Sequence, residues 1–162
     1  MATKVSKTRL QLPENVRGEI VTLLNARLAD TVDYALQLKQ AHWNVKGREF
    51  VALHEMFDSM ATELQEHADL IAERAVQLGG QAHGTLQSAV AHTTLPEYPL
   101  EARGAVEHLS ALAERLAVLA TAVRAAIDTA DGRGDKDTAD LFTEVSRGLD
   151  KQMWYLEAHL AD

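Results

Sequence analysis

Apolar residues recur every three to four positions through four long stretches of the chain, the spacing of helices that each bury one face. Val16, Ile20, Leu23, Leu24, Leu28, Val32 and Leu36 trace the first. It is entered near Pro13, whose fixed φ suits an early helical position, and it ends by Gly47. Leu53, Met56, Phe57, Met60, Leu64, Ala68, Ile71 and Ala75 trace the second, which Gly79 and Gly80 stop. Val106, Leu109, Leu112, Leu116, Leu119, Val123 and Ile127 mark the third, closed by the loop from Gly132 to Gly134. Leu141, Val145, Leu149, Met153, Leu156 and Leu160 mark the fourth, with Asp137 as its expected N-cap. No stretch reads as a strand.

Between the second and third stretches lie about 20 residues, more than a compact bundle leaves without structure. A short helix over residues 85–92 resolves this. The pattern predicts an all-α fold, a four-helix bundle with a short extra helix in the long connection between helices 2 and 3. At 162 residues the chain makes one domain. Its expected extent is 13–162, behind a flexible basic tail at 1–12.

Charge and composition narrow the chemistry. The net charge of −8, from 24 acidic and 16 basic residues, favours small cations over nucleic acid as partners of the globular surface. The tail is the exception, with Lys4, Lys7 and Arg9 and no acidic residue before Glu14. Three charges bind phosphate weakly, but many copies on one assembly gain avidity. A disordered, solubilising terminus is the plainer reading of the same residues. Cysteine is absent, so any metal must be held by imidazole and carboxylate, a set that suits iron, zinc or manganese. No segment resembles a signal peptide or spans a bilayer, which makes a cytoplasmic location the expectation, nucleoid-associated if DNA is bound.

Within the helical stretches, His54/Asp58 and Asp69/Glu73 form two pairs four residues apart, and His42 precedes them. Four-residue spacing puts each pair on one helix face, and all four side chains fall within roughly 100° around the axis. Taken singly, His54 reads as a packing histidine and Glu73–Arg74 as a surface ion pair. Together they make a stripe of ligands. Yet the helical rise separates His54 from Glu73 by roughly 28 Å, so one chain cannot close the site. Two helices packed antiparallel about a two-fold axis near Glu63 and Leu64 would face one pair with the other's complement. Two equivalent sites result, roughly 22 Å apart. A helical hairpin would bring His42 near His54 in the same chain. No histidine follows Glu by three positions, so the intrachain di-iron motif of Glu-x-x-His bundles is absent.

The stretch KQAHWNVKGREFVALHEMFDSMATELQEHADLIAERAVQLGG, Lys39 to Gly80, closely resembles the Dps family of ferritin-like proteins. AHWN, HEMFD and AERAVQLGG carry the likeness, which continues through TADLFTEVSRGLDKQMWYLEAH. The resemblance implies a hollow dodecamer, built from two-fold dimers, that oxidises Fe(II), preferably with hydrogen peroxide, and stores the ferric product. It places the ferroxidase centre at the dimer interface, on His42, His54, Asp58, Asp69 and Glu73, with the short helix nearby. It assigns pore carboxylates to Asp135 and Asp140, to which Glu144 is a further candidate. Trp43 and Trp154 read first as packing residues; the resemblance adds interception of stray oxidising equivalents. His67, His83, His92, His108 and His159 lack comparable pairing and are expected at the surface or at interfaces. DNA compaction through the tail, with iron secondary, is the competing function.

Overall fold

The computed structural model describes residues 3–161; residues 1 and 2 of the expected tail and residue 162 of the expected domain lie outside the described residues. Five helices follow in order: α1 (Glu14–Asn44), α2 (Phe50–Gln77), α3 (Leu86–His92), α4 (Ala105–Gly132) and α5 (Lys136–Leu160). Among the described residues the only β pairing is an isolated parallel bridge between Lys46 and Gly104. No described helix is long and apolar enough to cross a membrane.

Short turns fold α1 against α2 and α4 against α5, and the long connection carrying α3 crosses between these two hairpins. The four-helix bundle with a short extra helix in the crossover, expected from the periodicity, is therefore the fold. Leu24, Leu38, Leu53, Phe57, Leu64, Leu112 and Phe142 lie in its interior without exposure. Tyr34 is equally buried and donates its hydroxyl to the Leu112 carbonyl at 3.2 Å, tying α1 to α4. The periodicity misplaces two side chains, since Leu36 and Val106 point outward.

The crossover is held by charge inside the bundle. Asp30, fully buried, pairs with Arg27 at 2.7 Å and accepts from the backbone N–H and hydroxyl of Thr94. A buried carboxylate survives because each oxygen has partners. Thr85 caps α3 by accepting from the Ser88 N–H at 3.2 Å.

Two expectations change. The N-cap of α5 is Asp135, not Asp137: its carboxylate accepts from Thr138 N–H and meets Arg74 Nη2 at 2.7 Å. Within the described part of the basic tail, the stretch around Val5 and Ser6 is docked rather than free. Val5 enters the core, Ser6 N–H donates to Gly79 at 2.8 Å, and buried Arg17 donates to the carbonyls of Ser6 and Leu78 at 2.9 and 2.7 Å. Gly79, at φ 85°, lies so close to the segment that a Cβ would stand 2.7 Å from the Ser6 carbonyl oxygen.

Candidate metal centre

His42 lies in the last turn of α1 and His54 in the second turn of α2, so the intervening turn brings them face to face. Their rings stack with centroids 3.7 Å apart at 20°. Each Nδ1 meets the other residue's backbone carbonyl, at 2.7 Å from His42 and 2.8 Å from His54. A carbonyl only accepts, so both Nδ1 atoms carry hydrogen. This fixes the tautomer and leaves each Nε2 lone pair for a metal ion.

One turn outward on each helix, Lys39 Nζ contacts Asp58 Oδ1 at 2.5 Å. The hydrogen bond from Lys39 holds the Asp58 carboxyl below its ordinary range, with the charges of Lys39, His42 and His54 adding to it against partial desolvation. Sequence analysis missed Lys39. Its position three residues before His42 puts it on the same face of α1, which is the signal that could have found it.

Asp69 and Glu73 sit farther along α2 with exposed side chains that take no ion pair among the described residues. The anticipated Glu73–Arg74 pair does not form, because Arg74 turns inward to Asp135. A shallow, largely apolar groove lined by Ala72, Glu73, Val76, Gln77 and Ala82 adjoins the carboxylate. Val51 and Val76, 62% and 56% exposed, share the angular stripe of the four candidate ligands. Among the described residues, no three His, Cys, Asp or Glu side chains close round one metal position within the chain. The histidine half and the distal acidic half remain apart.

Comparison with known proteins places the fold. The ferritin-like domain family matches residues 21–162. The DNA protection during starvation protein of Agrobacterium fabrum is 48% identical over 159 residues, covering 98% of each chain. The chain belongs to the Dps family.

Solved Dps structures superimpose closely. DpsC from Streptomyces coelicolor gives a TM-score of 0.94 at 32% identity, covering 98% of this chain and 93% of its own. The tetragonal form of Mycobacterium smegmatis Dps gives 0.93 at 30% identity, covering 97% and 96%.

Against this Dps fold the remaining candidates separate. Asp135 is 2% exposed and committed to Arg74 and Thr138, so its carboxylate is not presented to a pore. Asp140 and Glu144 are exposed on α5. Trp43 and Trp154, expected as packing residues, are 65% and 64% exposed and lie outside the core of the single chain. Lys39 lies over the Trp43 ring at 5.8 Å. Lys4, Lys7 and Arg9 are exposed along the docked segment. His67 and His108 are buried inside the bundle rather than at its surface, and burial pushes both imidazoles below their ordinary pKa. His83, His92 and His159 are exposed, as anticipated.

Proposed function

We propose that this Dps-family protein is a ferroxidase and iron store whose catalytic pocket is completed between two subunits. His42, His54 and Asp58 of one chain bind Fe(II) together with Asp69 and Glu73 of a two-fold mate, and the antiparallel packing of two α2 helices makes a second, equivalent pocket. The observation that carries this reading is the tautomer lock on His42 and His54, which leaves two Nε2 lone pairs beside an anionic Asp58. Exposed Val51 and Val76 on the same stripe support burial of this face against another chain.

Imidazole suits Fe(II), whereas carboxylate favours the harder Fe(III), so a mixed set supports oxidation followed by release. Two Fe(II) ions each give up one electron. Hydrogen peroxide takes both with two protons, its O–O bond breaks, and two waters leave. No hydroxyl radical forms in such a step, which links iron storage to protection of DNA. The Fe(III) product accumulates inside a twelve-subunit shell. Asp140 and Glu144 are the pore candidates that stay available after Asp135 is assigned to the helix cap. Zinc and manganese fit the same donors and would compete with iron.

Peroxide-driven Fe(II) oxidation, followed optically after anaerobic loading, tests the proposal. Replacing both His42 and His54 with Ala removes the rapid phase while leaving assembly intact; an undiminished rate refutes it. DNA compaction rests on Lys4, Lys7 and Arg9 alone, and gel-shift with and without residues 1–12 across a salt series separates that activity from iron oxidation.

A further inference from the structure

The end of α1, which carries His42, meets the start of α4. Lys46 forms the parallel bridge with Gly104, the N-cap of α4, and Val45 beside it is buried. Glu107 holds the first turn of α4 by accepting from the N–H groups of Arg103 at 2.7 Å and Gly104 at 3.4 Å. His108 follows, 1% exposed and unused by the metal centre. Its Nδ1 lies 2.6 Å from the Tyr98 hydroxyl. Tyr98 is itself held, because Arg115 stands over its ring at 5.9 Å and donates to the Glu97 carbonyl at 2.5 Å.

Burial pushes the Tyr98 pKa up, so the phenol keeps its hydrogen at neutral pH. Burial lowers the His108 pKa, and the backbone of Asn44 opposes this by favouring the charged ring. With Nδ1 taken by Tyr98, the nitrogen that acts on Asn44 is Nε2. A carbonyl only accepts, so Nε2 carries hydrogen and Nδ1 receives the one from Tyr98. Among the described residues Nε2 meets no acceptor at full hydrogen-bond geometry, so the approach to Asn44 is close but incomplete.

Asn44 ends α1, two residues after His42. The last carbonyls of a helix lack intrahelical donors and take them from elsewhere, histidine side chains included. That of Ala41 accepts from Val45 N–H at 2.8 Å, and that of His42 accepts from His54 Nδ1 at 2.8 Å. The Asn44 carbonyl faces His108.

We propose that His108 is a positioning residue for the metal centre: backed by Tyr98, its Nε2–H caps the Asn44 carbonyl and holds the last turn of α1, with the His42 ring on it, in the orientation that binds metal. The inference rests on the reading of His42 and His54 as ligands. His108 itself touches neither metal nor oxidant. Partners behind a ligand act in this way, by fixing the direction of its lone pair.

Co(II) titration of the assembled protein, read by visible absorption, tests this alongside peroxide-driven Fe(II) oxidation. His108→Leu fills the space without a donor. It is expected to weaken Co(II) binding and raise the Fe(II) concentration for half-maximal rate by roughly three- to tenfold, the factor one ordinary hydrogen bond carries, with the saturating rate near the parent's. His108→Gln, whose amide keeps a donor for Asn44 and an acceptor for Tyr98, restores both. Tyr98→Phe removes one oxygen atom and weakens Co(II) binding in the same direction; it decides the matter if His108→Leu does not assemble. Superimposable Co(II) titrations of parent and variant overturn the inference, as does an equal loss in His108→Leu and His108→Gln, which marks packing alone. A parental Co(II) band that persists in His42→Ala/His54→Ala refutes the shared pocket and this inference with it, whereas a band that needs both histidines but ignores His108 and Tyr98 overturns the inference alone.

Discussion

His42 and His54 hold each other: each imidazole donates its Nδ1 hydrogen to the other's backbone carbonyl, and the two rings stack 3.7 Å apart. The end of α1 and the start of α2 are thereby locked in register. The same contacts direct both Nε2 atoms to whatever the pocket binds.

A pocket divided between chains makes complementation the sharpest test. Protein carrying His42→Ala/His54→Ala and protein carrying Asp69→Asn/Glu73→Gln are each expected to be inactive. Unfolded together and reassembled, mixed dimers regain one intact pocket of their two, and Fe(II) oxidation returns to a substantial fraction of the parental rate. Silence in the mixture, measured on confirmed hetero-assemblies, counts against shared ligation.

Lys39 competes with any cation for Asp58. Lys39→Met is expected to tighten Zn(II) binding at neutral pH, measured by calorimetry, because the metal no longer displaces an ammonium. It also raises the Asp58 pKa, which the Lys39 hydrogen bond now depresses. With a depressed carboxylate, the stabilisation is present above the ordinary Asp value and lost as pH falls through the lowered one. Carbon NMR of the Asp58 carboxyl should show the variant titrating at higher pH; an unmoved titration excludes the coupling.

Asp135 and Asp140 should part company in stability. Asp135→Ala leaves Arg74 buried without its partner and strips the α5 cap, at a cost of about 3–5 kcal/mol in denaturant unfolding. Asp140→Asn, at an exposed position, should stay within about 0.5 kcal/mol of the parent. Equal, small effects would argue against the cap.

Arg17 anchors the N-terminal segment through two carbonyls. Arg17→Gln removes charge-assisted bonds and should weaken docking by about 2 kcal/mol. Limited trypsin digestion after Lys7 or Arg9 is then expected to accelerate by on the order of tenfold or more, with helical content unchanged, as local opening rises. A cleavage rate matching the parent's would show that the anchor is unimportant.

The helices themselves, the glycine stops, the short helix in the crossover and the approach of His42 to His54 were legible in the sequence, whereas the start of α5 was misplaced by two residues. They follow from local rules: apolar period, cap chemistry and the rise of an α-helix fix which residues share a face. Only the tertiary structure decided partners. Arg74 abandons its neighbour Glu73 for Asp135, sixty-one residues away. Lys39 occupies Asp58, Val5 and Ser6 dock beside Gly79, and both tryptophans face outward. The pattern along one helix records that a face is polar or apolar, not which distant group will meet it. That choice depends on how the two hairpins pack and which buried charges must be satisfied.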